Sequence, residues 1–200
     1  GAAAALYGTR GANGVILITT KKGAYGQDFQ VNVNSSMEIS QVNKLPPVQS
    51  KYSQGYFGSY GGGTSNPFSW GPALSELGYD ADGNITQSAT GGVTPYDNLA
   101  FFQRGRRLNN SVTLSGGGKT TSYYLSLSNL QDEGIVPLNR FDRTTVRMTG
   151  TGQISTNLKI TSSIAYASSG GYRVQQGSNT SGLMLGLLRT PPSFDNTNGA

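Results

Sequence analysis

Cysteine and histidine are both missing from this 200-residue chain. Without thiols there is no disulfide scaffold, thiolate zinc site or Cys nucleophile. Without imidazole there is no His general base and no Ser-His-Asp triad. Charge is scarce as well. Lys and Arg number 15 and Asp and Glu 10, a net charge of +5, and charged residues are 12% of the chain. The basic residues are scattered, the tightest groups being Lys21-Lys22 and Arg104, Arg106, Arg107. A nucleic-acid surface concentrates its charge on one face, so no nucleic-acid partner is expected. No run approaches the ~18 apolar residues of a spanning helix. No carboxylate pair stands out as an acid/base couple, and Asp132-Glu133 read as solvated neighbours in a loop. Neither an enzyme nor a cofactor or metal site is expected. The chain opens on Gly1-Ala2-Ala3-Ala4-Ala5 without the marks of a signal peptide and closes on Asn198-Gly199-Ala200 in loop composition, so it reads as a fragment.

What is present is glycine, small polar residues and rings. Gly contributes 29 residues, Tyr 11, Phe 7 and Trp 1. An aromatic share of 10% argues against plain disorder, because rings seek burial or a partner. Residues 2–6 suit the end of a short helix stopped by Gly8. Gly11-Ala12-Asn13-Gly14 is turn chemistry, and Val15-Ile16-Leu17-Ile18-Thr19-Thr20 predicts a short strand buried on both faces.

From Phe29 the pattern is strict alternation. Phe29, Val31, Val33, Ser35, Met37 and Ile39 oppose Gln30, Asn32, Asn34, Ser36 and Glu38, a strand of about 10 residues. Residues 41–107 have no sustained period and are rich in Gly, Pro, Asn and rings. Connections that long are usually functional or carry local structure of their own. Alternation resumes after Arg107, with Val112, Leu114 and Gly116 opposing Ser111, Thr113 and Ser115. Gly116 to Lys119 make a turn, and Tyr123, Leu125 and Leu127 oppose Tyr124, Ser126 and Ser128, completing a hairpin. A medium loop over 131–142 leads to a fourth strand, Arg143 to Ser155, a turn at Thr156-Asn157, and a fifth, Leu158 to Ala167. Residues 168–200 return to loop composition.

Ten alternating residues at a ~45° tilt cross a bilayer core, and short turns alternating with long loops is the outer-membrane barrel arrangement. A soluble antiparallel sandwich also alternates. Polar faces made of Ser, Thr and Asn rather than Lys and Glu favour a hollow interior over an open surface. Five strands cannot close such a barrel, which agrees with a fragment.

The stretch Ala5-Leu6-Tyr7-Gly8-Thr9-Arg10-Gly11-Ala12-Asn13-Gly14-Val15-Ile16-Leu17-Ile18-Thr19-Thr20-Lys21-Lys22-Gly23 resembles the end of the plug domain in the SusC/RagA family of TonB-dependent outer-membrane transporters. Ser69-Trp70-Gly71-Pro72, then Asn109 to Gly117, Tyr123 to Leu130 and Glu133 to Pro137, follow in family order. The resemblance implies an all-β fold: residues 1–24 as the C-terminal end of the plug, and 25–200 as the first ~5 of roughly 22 antiparallel strands of a transmembrane β-barrel. Residues 41–107 would be a long extracellular loop. It implies an importer in the outer membrane that takes up oligosaccharides or peptides, contacts membrane lipid, is driven through TonB by a segment outside these residues, and is capped by a SusD-like surface lipoprotein. Two rivals stay open: a TonB-dependent receptor for siderophores or other metal chelates, and a secreted adhesin or lectin-like β domain.

The candidate gating residues are Tyr7, Gly8, Arg10, Gly11, Asn13 and Gly14 of the plug motif. Their glycines mimic a phosphate loop, but such a loop precedes a helix and here a strand is predicted, so tight turning and close packing on the barrel wall fit better. Gly118-Lys119-Thr120 fails as a P-loop because the first Gly is replaced by Thr113. Asp80-Ala81-Asp82-Gly83-Asn84 has calcium-loop residues in the wrong register, with Gly91 where Glu is required, so an Asp-Gly turn between short strands is expected. Glu38, on the polar face of the first strand, is a candidate partner for Arg10. The loop rings Tyr56, Phe57, Tyr60, Phe68, Trp70 and Tyr79 are candidates for stacking on substrate or docking on the lipoprotein, against self-packing of the loop.

Overall fold

A computed structural model describes residues 5, 8, 14–16, 18–63, 66, 68–175 and 182–196. Five long strands form one sheet in the order β1 (Gln30–Ser40), β6 (Gly105–Gly117), β7 (Thr121–Glu133), β8 (Arg140–Ser155), β9 (Leu158–Tyr172). Two small hairpins lie between β1 and β6: β2 (Gly55–Tyr56) with β3 (Ser59–Tyr60), and β4 (Gly78–Tyr79) with β5 (Ile85–Thr86). One helix, α1 (Leu183–Arg189), follows β9. The pairing is antiparallel: Ser35 meets Asn110 and Glu38 meets Arg107, so numbers rise on β1 as they fall on β6. Among the described residues no helix is long and apolar enough to cross a membrane.

The strands outrun the alternation that revealed them. β6 to β9 run 13 to 16 residues, where the hydrophobic pattern suggested about 10. The extra residues are mostly polar, with isolated apolar ones such as Leu108, Leu130 and Phe141, so they pair in the ladder without sustaining an apolar face. As a result the 131–142 loop shrinks to 134–139, and Asp132 and Glu133 end β7 instead of lying in a loop. The Val15–Thr20 expectation is corrected too. Its described residues belong to no strand, and Ile16 is 90% exposed. β-branched propensity does not make a strand where no neighbouring strand supplies hydrogen bonds.

The chain falls into two compact units. The first draws on residues 1–34, 111–128 and 145–167. Its face assignment follows from cross-strand contacts. Ser128 meets Thr145, Thr149 meets Ser163 at 3.1 Å and Thr151 meets Thr161 at 3.3 Å, all hydroxyl to hydroxyl. Gly116 abuts the Tyr123 ring on the other face. Counting by twos from these pairs places Val31, Val33, Leu114, Leu125 and Ile160 together, opposite the hydroxyls. The burial of the two faces inverts that of a soluble protein. Val31, Val33, Met148, Ile154, Ile160, Ile164 and Tyr166 are exposed, while Ser115, Ser122, Thr149 and Thr151 are buried, Thr149 to 2%. Each hydroxyl pair satisfies donor and acceptor at once, which removes most of the penalty for burying them. None of the buried hydrophobics of the described residues comes from the five long strands. The two-layer packed interior of a sandwich is absent from this unit's described residues.

The second unit draws on residues 35–110, 129–144 and 168–200. It holds a small conventional core of Leu74, Leu77 and Val93, against which Tyr60 and Ile85 pack. A 3-10 turn, Leu74–Glu76, closes onto Leu77, whose side chain is fully buried. Gly92 N–H donates to the Leu77 carbonyl at 2.8 Å and Val93 N–H to the Leu74 carbonyl at 2.9 Å, so the backbone wraps its own core. The long connection, 41–104, thus has structure of its own.

Candidate functional site

The loop aromatics are positioned by two laced segments of the second unit. Gly55 bridges Ser69 in parallel and Tyr52 bridges Ala73 antiparallel. Trp70 N–H donates to Gly55 O at 3.1 Å, Gly55 N–H to Phe68 O at 2.9 Å and Leu74 N–H to Lys51 O at 2.9 Å. A side chain at Gly55 would collide with the Ser59 carbonyl and the Gly71 Cα, so only glycine permits this crossing. Ser53, wholly buried, donates from Oγ to the Pro72 carbonyl at 2.8 Å.

This scaffold sorts the candidate rings into three groups. Tyr60 turns inward onto the Leu77 core, and burial, followed by the nearby Tyr79, pushes its phenol up from the ordinary range. Tyr52, Phe68 and Trp70 line an open cleft of about 710 Å³ together with Gln49, Ser69 and Arg189. Trp70 is 71% exposed, and Lys51 Nζ stands 5.4 Å from the Tyr52 ring centre. Tyr56 and Phe57 project from the β2–β3 tip, their centroids 4.1 Å apart, with Phe68 5.3 Å from Tyr56. Tyr79 lies half exposed on the second hairpin. The cleft's polar wall is largely committed: Gln49 Oε1 accepts Lys51 and Tyr52 N–H at 2.9 and 2.8 Å, and its Nε2 donates to Tyr52 O. The chemistry on offer is therefore broad ring faces with a basic rim, suited to stacking.

Sequence reasoning missed the residues that tie the tail to the loop. Gln54, almost fully buried, donates from Nε2 to the carbonyls of Gly63, at 2.6 Å, and Asn66, and its N–H donates to Ser193 Oγ at 2.8 Å. Asn98 Nδ2 donates to Pro191 O at 3.1 Å, and Tyr96 N–H to Pro192 O at 2.8 Å. Helix α1 buries Leu187 and brings Arg189 to the cleft. An apolar run, Leu183 to Leu188 interrupted by Gly186, was its one sequence signal. The 168–200 stretch is thus not all loop, as its composition suggested.

The predicted turn at Asp80 is observed between β4 and β5. Asp80 Oδ1 accepts Asn84 N–H at 2.8 Å and Asp82 N–H at 3.0 Å. The Asn84 hydrogen bond, more than any other influence, holds the carboxyl below its usual range. Among the described residues no group of three or more carboxylates could hold a metal ion.

Of the plug-motif residues, Tyr7, Arg10, Gly11 and Asn13 lie outside the described residues. Gly8 and Gly14 have φ of 67° and 104°, a conformation that favours glycine. Glu38 faces Arg107 at 3.4 Å, and Arg107 pairs with Asp132 at 2.7 Å; its suggested pairing with Arg10 involves a residue outside the described ones. The residues leading into β1 lie against the sheet of the first unit. A Cβ on Gly23 would sit 2.2 Å from Tyr123 O, Gly26 N–H donates to Gly118 O at 2.9 Å, and Lys159 Nζ lies 5.1 Å from the Tyr25 ring centre.

No protein-family model matches the chain. It is 30% identical over 198 residues to the TonB-dependent receptor P39 of Formosa agariphila, an alignment covering 96% of this chain and 17% of that protein. It is 33% identical over 144 residues to the TonB-dependent receptor SusC of Bacteroides thetaiotaomicron, covering 72% of this chain and 12% of SusC. The chain therefore spans less than a fifth of the length of these curated relatives. Its fold is similar to a chain of the RagAB peptide importer in the closed-closed state, with a TM-score of 0.58 and 22% identity over 91% of this chain and 22% of that one. The likeness to RagAB is one of fold, and the sequence matches with TonB-dependent receptors, SusC among them, place this chain in the SusC/RagA-like family of TonB-dependent receptors.

Proposed function

We propose that the chain is part of an outer-membrane TonB-dependent nutrient importer of the SusC kind. In this reading residues 1–24 are the end of the plug, 25–200 are the first strands of the barrel, and 41–104 form an extracellular loop. The observation that carries the reading is the sheet of the first unit, with aliphatic side chains exposed and Thr149 and Thr151, each hydroxyl-bonded across to the next strand, buried on the opposite face. Outward oil suits lipid, and a hydroxyl face suits a water- or plug-filled lumen. The exposed outer edges of β1 and β9 suit strands that continue on both sides. The close approach at Gly23 supports a plug tail that leaves the lumen across this wall. The plug-motif positions Tyr7, Gly8, Arg10, Gly11, Asn13 and Gly14 would form the turn by which the plug meets it. TonB would act through a segment outside these residues.

The cargo class is oligosaccharide or peptide, with a SusD-like lipoprotein over the extracellular side. The cleft of Tyr52, Phe68 and Trp70 supports a loop that stacks on sugar rings or peptide side chains. No catalytic role is assigned to any residue. The test is deletion of the full-length gene in its host, followed by growth on a panel of oligosaccharides and peptides. The expected result is an outer-membrane protein extracted only by detergent, and loss of growth on one such substrate, restored by the intact gene. A full-length protein soluble without detergent would return the reading to an adhesin or lectin-like domain. A defect confined to iron chelates would make it a metal-chelate receptor.

A further inference from the structure

The segment that leads into β1 lies against the end of the β6–β7 hairpin, and glycine is what allows it there. A Cβ on Gly23 would meet the Tyr123 carbonyl oxygen at 2.2 Å and the Gly116 carbonyl oxygen at 2.9 Å, and one on Gly117 would meet the Ala24 carbonyl oxygen at 2.2 Å. These obstacles are backbone atoms, so no side-chain rotation makes room for them. From Gly23 to Gly117 the contact is backbone on backbone.

Direct bonds close the contact. Gly26 N–H donates to Gly118 O at 2.9 Å and Gly117 N–H to Gln27 O at 2.8 Å, a reciprocal pair. The chain turns at Gly26, whose φ of 65° favours glycine. Gln27 braces this turn, its Oε1 accepting Ala24 N–H at 3.1 Å and its Nε2 donating to Gln30 Oε1 at 2.9 Å. The neighbouring strands β8 and β9 join in. Lys159, near the start of β9, holds its Nζ 5.1 Å from the Tyr25 ring centre, and Gln153 N–H of β8 donates to Thr120 O of the β6–β7 turn at 2.8 Å. Segment and seat are thus fixed to each other by contacts that lie wholly within the first unit.

We propose that residues 23–27 are a clasp that fastens the tail of the plug to the wall, so that a pull which displaces the plug ends at Gly23 and does not run on into β1. The inference rests on the importer reading above and adds to it the point at which the moving part stops. A pull arriving from the N-terminal side loads the wedged Gly23 first. The bonds of Gly26 to Gly118 and of Gln27 to Gly117 lie directly behind it. Contacts this close in the chain open together as one local unit. Without the clasp, the first ordered pairing to bear the load would be that of β1 with β6, which belongs to the wall itself.

The experiment pulls the full-length receptor, embedded in a lipid bilayer, from its N-terminus by single-molecule force spectroscopy. The wild-type trace is expected to show a rupture where residue 23 comes under load, ahead of any rupture of the wall. In Gly23→Val that event is lost, leaving the one at Gln30, where β1 begins, roughly 25 Å of extended chain later. Gln27→Ala removes a brace and spares the ladder of the sheet, so there the event keeps its position and falls to lower force. A wild-type trace with no rupture at residue 23 overturns the proposal and leaves the importer reading standing. The same event at the same force in both variants overturns it as well. A full-length receptor that does not insert into a bilayer removes the importer reading, and the clasp with it.

Discussion

The two units solve opposite problems with similar residue types. In the first, Val33, Met148, Ile154 and Ile164 are exposed while Ser115, Ser122, Thr149 and Thr151 are buried. In the second, Leu74, Leu77 and Val93 are buried, and the polar residues of a long connection wrap around them. Hydrophobicity alone does not say where a side chain goes. The surroundings on the other side decide, and lipid is what the importer reading places against the exposed aliphatic face.

The comparison can be broken from either side. The largest expected effect is in the conventional unit. Leu77→Ala removes a fully buried side chain, and its cost is about 2–5 kcal/mol. Amide exchange at Gly92 and Val93, whose hydrogen bonds reach Leu77 and Leu74, should accelerate at least tenfold in the full-length protein. Unchanged exchange there would mean that the loop does not depend on this core. In the inverted unit the informative change is Ile164→Lys. At an aqueous surface it is nearly neutral; on a lipid face near mid-membrane it costs about 2–4 kcal/mol. Refolding titrations of the full-length protein into bilayers distinguish the two, and a neutral outcome would erase the contrast between the units.

The smallest effect sharpens the contrast within the loop. The folded pKa of Asp80 is lowered, so the charged carboxylate stabilises the β4–β5 turn fully above the ordinary carboxylate range. That contribution fades as pH falls through the lowered value. The protection of the Asn84 and Asp82 amides, taken relative to intrinsic exchange at the same pH, should therefore fall in acid, and Asp80→Ala should show the lower protection at every pH.

The face pattern of the sheet was legible because one side must be apolar and period 2 exposes that at once, from Phe29 to Ile39 and again from Leu158 to Tyr166. The strand ends were not legible. Residues such as Asn129, Gln131 and Glu133 pair in the ladder without an apolar partner face to announce them. In the candidate site, the rings of 52–79 could be named, but not their division into a core ring, a cleft and a projecting tip. That division depends on Gln54, Ser53 and Gln87, whose partners are distant carbonyls and amides. A hydrogen bond to a backbone carbonyl leaves no trace in residue type.

By itself, the sequence determined the class of chemistry and the alternation. No thiol or imidazole was available, and small hydroxyls alternated with aliphatic residues, so an all-β scaffold with two unlike faces followed from period and composition. Only the tertiary structure decided which face was buried, that Glu38 faces Arg107, and that Gly23 lies against the carbonyls of Gly116 and Tyr123. Those outcomes depend on contacts between residues far apart in the chain, and short-range pattern carries no information about them.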